Sequence, residues 1–567
     1  MVVVGVLVYL NSLSNGFVFD DYTVIVENKS FNGPGFDFLS FFNRSYFKIA
    51  AGEASYRPVA TLSYYIIHKA AGQNPFYYHL VSVVLHILNT LLVYWTARLV
   101  LRNPSAAMIA GLLFACHPAQ TEAVDCIAYN EDLLTCFFFL TAFIFYLKAT
   151  PEESKKAVFM FYIGSLVCFL LGLLSKEMAI TLPAILLLYD LTLRARDRKS
   201  LSPAVILETV KARVRLYAGY AAVSMFYLML RFILLTSPVK EAKPFYGSLV
   251  ERILYLPDHV FSFIKLAVFP LGLNADYVFS YPSGYFAISN LVGFIVVVGL
   301  AVASFYIYRH SRQVFFCIWW FLITLFPVYN IIQIFNPFAE RYLYIPLIGF
   351  CMLAAHIFDG LFLRRFTKTA LAKGLLLVVL IAWVASYAAM AAARNRDWKD
   401  SYTLWSKTVK QSPGSRVAHG SLGRAYQDRG QLVEAVREYE KALQIFPDDF
   451  KAHYNLGVIY DQQNRLKAAV QQYRKSIAIN SAFADAHFNL ANIYQRQGLP
   501  GKAIVQYQKV IELDPADLEA RNNLGVAYAM EGELEKAMLE WEKLLKIDPG
   551  NHSASDNIKK AKAILEK

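Results

Sequence analysis

Hydrophobic and polar positions change their pattern once along the chain, near Ala393. Before it, apolar runs alternate with short polar loops. Crossing a bilayer takes roughly 20 apolar residues, fewer where flanking side chains reach back to the interface. Runs of that kind lie near 78–101, 157–175, 214–236, 289–308, 342–363 and 370–393, with shorter ones near 105–116, 133–148, 178–192 and 314–329. Met1 to Leu13 is apolar but short. No small-residue cleavage site follows it, so the pattern predicts a retained first helix rather than a signal peptide. After Ala393 the chain turns polar and repeats. Leu422, Leu456, Leu490 and Leu524 share a 34-residue register, as do Tyr426, Tyr460, Tyr494 and Tyr528, and Ala435, Ala469, Ala503 and Ala537. That period predicts four tetratricopeptide units, each a helix pair, closed by Pro447, Pro515 and Pro549 with Ser481 at the fourth site. The expected fold class is all-α. A polytopic membrane bundle would occupy 1–393, a connecting helix 394–415, and a repeat solenoid with a C-terminal cap helix 416–567.

Composition agrees with this division. The 567 residues are 56% hydrophobic and only 17% charged, too apolar for a soluble protein of this size. The net charge of +13 fits basic residues held on the cytoplasmic side of a membrane, as in RARDRK (194–199) and RRFTK (364–368). No basic stripe interleaved with stacking aromatics is present, which sets nucleic acid aside. The six cysteines form no disulfide framework and no metal spacing. Placing the basic loops inside gives about eleven spans, the first running outward. The stretch 246–271 carries Glu251, Arg252, Asp258 and Lys265, costly in lipid, and is expected to lie along the outer surface rather than to cross.

On that topology the acidic loops share the outer face. Asp20 and Asp21 follow the first span directly. A carboxylate at the lipid–water boundary has a raised pKa and suits general-base work, whereas an Asp pair also serves as a helix cap. The loop CHPAQTEAVDCIAYNEDLL gathers His117, Glu122, Asp125, Glu131 and Asp132. Their spacing is not that of a zinc site, and His117 with Glu122 could orient a sugar or simply cap helices. Arg57 stands ahead of a helix, and Lys176–Glu177 and Glu340–Arg341 sit at span ends. Each basic residue can hold a phosphate, or pair with its acidic neighbour and leave nothing for a ligand. In the repeats, Asn455, Asn489 and Asn523 share one register on the first helices. Such amides can hold an extended peptide by its backbone, or bond a neighbouring helix.

The order FVFDDYTVIVENK, SYRP, HPAQTEAV, LSKEMAITLP, AERYLYIPLIGF, RNRDWKDSYTLW and then the repeats resembles the transmembrane and tetratricopeptide-repeat O-mannosyltransferases. The likeness runs nearly end to end and is weakest over 211–329, where LGLNADYVFSYP still resembles a family loop. It implies a GT-C glycosyltransferase that takes a sugar from a polyprenyl-phosphate carrier, in relatives dolichyl-phosphate mannose, and passes it to a Ser or Thr hydroxyl outside the cytoplasm. It also implies an acidic catalytic group in the first outer loop, here Asp20 or Asp21. Phosphate would fall to Arg341, Arg57 or Lys176. No metal is required, though acidic pairs can hold a divalent ion. The short first span and the final AILEK leave two settings open: a bacterial inner membrane with periplasmic repeats, or an ER membrane with luminal repeats. Two other readings keep the architecture: transfer to a glycan or lipid with the repeats recruiting partners, and a scaffold without catalysis. Acids grouped in outer loops, not midway along spans, argue against a transporter.

Overall fold

The computed structural model describes residues 1–28, 31, 56–149, 154–194, 201–234, 249–278, 288–331, 334, 336–360 and 369–566. Most of the two basic clusters, 195–199 and 364–368, lies outside the described residues. All regular elements among the described residues are helices, and the chain divides into two compact units, Met1–Lys407 and Thr408–Lys567. The division falls inside the segment 394–415, whose helix runs from Ser401 to Gln411.

The first unit is a multi-pass bundle. Five of its helices are long and apolar enough to cross a membrane: Pro75–Leu101, Ile127–Lys148, Lys155–Ser175, Asn290–Tyr308 and Ala370–Trp398. Four shorter apolar helices accompany them, Val2–Ser14, Pro104–Cys116, Arg312–Val328 and Pro346–Gly360. The sequence marks their ends. Asn103 accepts from Ser105 N–H at 3.0 Å and Ala106 N–H at 3.3 Å with Pro104 in the first turn, and Pro118 follows the last turn, where it cannot continue the helix. The Pro75–Leu101 helix packs on both Pro104–Cys116 and Asn130–Lys148. Between helices the apolar core is bridged by hydrogen bonds, Ser82 to Asn130 at 2.7 Å, Asn89 to the Leu133 carbonyl at 2.9 Å, and His86 with Tyr344 at 2.7 Å. Gly349 permits one close crossing, since a Cβ there would lie 2.7 Å from the Cys317 carbonyl. The flank of Ala370–Asn395 instead presents Leu375, Val378, Val379 and Ile381 outward, as lipid contact requires.

The helix Leu249–Val268 holds Pro257 and buries Tyr255, His259, Val260, Phe263 and Leu266 on one face. It packs along Ile288–Tyr308. The first and last helices of the bundle are fastened together. Asn395 donates to the Val8 carbonyl at 2.8 Å, Asn15 to the Asn395 carbonyl at 3.0 Å, and Asn11 to the Ala392 carbonyl at 2.8 Å. Gly16 N–H then bonds the Lys399 carbonyl at 2.9 Å, and the Phe19 ring meets Trp405 edge-on at 5.0 Å.

The second unit contains four helix pairs, from Arg416–Asp428 with Leu432–Ile445 to Leu518–Met530 with Leu534–Ile547, and then His552–Leu565. Each pair turns through a left-handed residue at one register: Gly430, Asn464, Gly498 and Gly532, with φ of 74°, 56°, 68° and 87°. Glycine takes that conformation without a Cβ penalty, and asparagine tolerates it. A second register is a clamp. His419, His453 and His487 donate through Nε2 to the carbonyls of Pro413, Pro447 and Ser481 at 3.1, 3.2 and 3.2 Å. Nδ1 of each meets the second helix, at Glu438, Gln472 and Gln506. In the last repeat Arg521 makes the same two contacts, to Pro515 and Glu540.

Candidate active site

Five separate pieces of chain bring the outer-loop candidates into one buried cluster. Asp20 and Asp21 sit in the turn after the first helix, yet they have different surroundings. Asp21 is fully buried. Its Oδ2 accepts from Val18 N–H at 3.0 Å and its Oδ1 from Ala128 N–H at 2.7 Å, with the Cys126 thiol at 3.5 Å. Burial outweighs these donors and raises its pKa to about 7. Asp20 is partly exposed and accepts from the Tyr129 hydroxyl at 3.0 Å.

Behind Tyr129 lies a chain of charges. The Arg341 guanidinium stacks 4.1 Å from the Tyr129 ring centroid and 4.9 Å from that of Tyr342. Glu122 grips Arg341 twice, at its side chain and, at 2.9 Å, at its backbone N–H. Lys176 lies 5.6 Å from the Tyr342 ring centroid and pairs with Asp132 at 2.7 Å and Glu131 at 3.2 Å. Glu131 also pairs with Arg57 at 2.5 Å, and Arg57 reaches Glu177 at 3.3 Å. Glu177 in turn meets Arg231 at 3.6 Å. Burial by itself would raise the Glu177 carboxyl, but Arg57 and Arg231 prevail and draw it down to about 2.

The adjacent charges of the sequence do not pair with each other. Glu340 turns to Arg394 at 3.5 Å and accepts from the Tyr277 hydroxyl at 2.9 Å, while Arg341 turns to Glu122. Lys176 and Glu177 likewise take different partners. The cause is local. Lys176 has extended backbone leading into the 3-10 turn that Glu177 opens, and Glu340 and Arg341 are successive residues of a single 3-10 turn; either geometry sends neighbouring side chains apart. Burial raises Glu340 to about 7, with Arg394 opposing only in part. Arg394 is also held by Asp397 at 2.9 Å.

His117 is committed to the fold. Its Nε2 donates to the Ala267 carbonyl at 2.9 Å, its Nδ1 accepts from Ala119 N–H at 3.3 Å, and burial lowers it to about 4. Asp125 is fully buried beside the Ser12 hydroxyl, and burial pushes it well above the ordinary carboxylate range. Sequence reasoning missed Tyr129, Arg231, Tyr277 and Arg394. A basic residue inside each of two apolar helices was the available signal for Arg231 and Arg394. Among the described residues no group of three or more His, Cys, Asp or Glu is placed to hold a metal ion. In the repeats, Asn455, Asn489 and Asn523 are partly buried and hydrogen-bond Tyr439, Tyr473 and Tyr507 of the preceding repeats. Asn489 also donates to Tyr454 at 3.1 Å.

This is a multi-pass membrane bundle with a mannosyltransferase-type region, joined to a tetratricopeptide array. Residues 57–212 match the family model described as dolichyl-phosphate-mannose-protein mannosyltransferase. Residues 423–463 and 459–498, 484–517, and 506–538 match tetratricopeptide models. The chain is similar to the protein O-mannosyl-transferases TMTC3 of Mus musculus (26% identical, over 78% of this chain and 50% of that protein) and Tmtc3 of Drosophila melanogaster (26%, 78% and 54%). It is similar in the same degree to TMTC1 of Homo sapiens (26%, 78% and 54%). The chain spans about half the length of these curated relatives. Among solved structures, a MamA protein is similar at 28% identity over 26% of this chain and 79% of that one, with a TM-score of 0.24.

Proposed function

We propose that this chain is an integral-membrane glycosyltransferase that moves mannose from a polyprenyl-phosphate carrier to a Ser or Thr hydroxyl of a protein on the extracytoplasmic face. The observation that carries the reading is the contrast between the two aspartates. Asp21 is spent on backbone donors. Asp20 is the partly exposed acid, at one end of a network whose other end, Glu177 and Arg231, is also partly exposed. The acceptor oxygen attacks the anomeric carbon, the bond from that carbon to the phosphate oxygen breaks, and the hydroxyl proton passes to Asp20. The carrier leaves as a phosphate monoester, whose charge needs fixed positive groups. Arg57 and Arg231 share Glu177 there, and an arriving phosphate takes that carboxylate's place between them. Arg341 and Lys176, each held by buried acids, set the field behind the base. Glu122, Glu131, Asp132 and Glu340 serve as their counter-charges, and His117 as a loop anchor.

The repeats give the enzyme a second contact with its acceptor protein or with a partner. The amides of Asn455, Asn489 and Asn523 serve inter-repeat packing first. The setting is an ER membrane or a bacterial inner membrane. The test is label transfer from dolichyl-phosphate mannose, and from other polyprenyl-phosphate sugars, to protein in membranes carrying the wild-type chain, Asp20→Asn or Asp21→Asn. Labelled protein in the wild type that disappears in a stably inserted Asp20→Asn supports the reading. Label in glycan or lipid alone moves the acceptor. Equal label in wild type and Asp20→Asn removes Asp20 as base.

A further inference from the structure

Tyr129 is a group that no known role absorbs, and its position is unusual. It is buried, it lies in the 3-10 turn Ile127–Tyr129 that leads into the helix Asn130–Lys148, and its hydroxyl points to Asp20, which is partly exposed. Its ring lies under the Arg341 guanidinium, and Arg341 is itself fixed at two points by Glu122. A phenol held on its ring face by an immobilised cation cannot swing, so its single O–H is aimed rather than merely nearby. The direction is also fixed: an ionised carboxylate accepts only, so the phenol is the donor. The sequence separations show that the fold builds this arrangement. Asp20 and Tyr129 are 109 residues apart, and Arg341 and Glu122 are 219 apart.

We infer that Tyr129 is a positioning residue for the transfer, orienting Asp20 and holding it ionised for proton acceptance, with Arg341 and Glu122 fixing the phenol in turn. The inference rests on the reading of Asp20 as the base. Among the described residues, the charged and titratable groups facing Asp20 include Asp21 in its own turn, Cys126 and Tyr129 ahead of the helix Asn130–Lys148, and Arg341 with Glu122 behind them. Tyr129 donates to its carboxylate at 3.0 Å. A donor to the charged form lowers a carboxylate's pKa, so loss of the phenol oxygen moves the acid limb of the rate profile to higher pH.

The experiment measures the initial rate of mannose transfer from dolichyl-phosphate mannose to protein, from about pH 5 to 8, in membranes carrying the full-length chain. Wild type, Tyr129→Phe and Asp20→Asn are compared at equal inserted amounts. Tyr129→Phe is expected to move the acid limb up by about one pH unit, costing about tenfold on that limb, with the alkaline plateau within about twofold of wild type. A uniform loss at every pH, with the limb unmoved, would show that the phenol only packs, and would overturn the inference while leaving Asp20 as the base. Full activity in Asp20→Asn removes both. If Tyr129→Phe does not insert, 3-fluorotyrosine placed at 129 decides the matter. Its more acidic hydroxyl donates more strongly, so the limb moves down; an unmoved limb overturns the inference.

Discussion

The membrane bundle and the repeat array meet the same requirement in opposite ways. Both bury polar side chains, which are costly without partners. The array does so locally. His453 finds its two partners 6 and 19 residues away, and the same step recurs at His419, His487 and Arg521. The bundle does so at long range. Arg57 meets Glu131 across 74 residues and Arg341 meets Glu122 across 219. A local solution repeats easily and tolerates exchange, as the substitution of Arg521 for a histidine shows. A long-range solution concentrates charge at one place, where a change in any member reaches the others.

The sharpest way to break this contrast is at the acid turn. Asp20→Asn should lower the transfer rate by about 10²- to 10⁴-fold, the usual worth of a general base, with little change in thermal midpoint. Asp21→Asn should do the reverse. It puts an amide where two backbone donors expect acceptors, and should cost about 1–3 kcal/mol in melting experiments while the folded fraction keeps turning over.

The pH dependence of stability separates the units next. Asp21 and Glu340, each raised to about 7 from ordinary values of 3.8 and 4.5, bind protons more tightly folded than unfolded. Their contribution is therefore greatest below about pH 4 and is lost as pH rises to 7. Glu177, drawn down to about 2, has the opposite sign: its contribution is complete above about pH 4.5 and is lost as pH falls toward 2. Melting of the detergent-solubilised chain should show the bundle transition weakening between pH 4 and 7, and Asp21→Asn should flatten that slope. A slope unchanged in the variant would count against the buried acid.

Smaller effects belong to the array. A Cβ added at Gly457 would lie 2.6 Å from the Tyr473 ring, so Gly457→Ala should cost about 1–3 kcal/mol by overpacking. The equivalent position in the next repeat already holds alanine, Ala491, packed against the same cluster as Tyr507. The local backbone therefore decides the size of the loss. Asn464→Ala should cost about 1 kcal/mol, because its φ is 56°. Neither change should alter mannose transfer to a short Ser/Thr peptide, and a loss there would mean that the array acts on the bundle's chemistry.

These two modes also decide what the sequence discloses. The helix pairs were legible because their spacing is the structure. The turn register at 430, 464, 498 and 532 is readable from Gly, Asn, Gly and Gly. In the bundle, the apolar runs located the helices, and the polar loops between them held the acids and bases. Pairing was not legible. Glu340–Arg341 and Lys176–Glu177 look like ion pairs in sequence, yet each member turns to a distant partner, because successive residues of a 3-10 turn, or an extended residue entering one, point different ways. In sequence His117 could orient a sugar or cap a helix; in the structure it holds the Ala267 carbonyl. Tyr129 could not be selected from many tyrosines, since only packing places its hydroxyl on Asp20.

The fastening of the first helix to the last has a further meaning in time. Asn15 and Gly16, just ahead of the acid turn, are held by Asn395 and Lys399, and Phe19 rests on Trp405. A ribosome makes these partners some 380 residues later than the turn they secure. The nascent chain thus carries its acids unassembled until the helix Ala370–Asn395 has been made, and the latch closes only then.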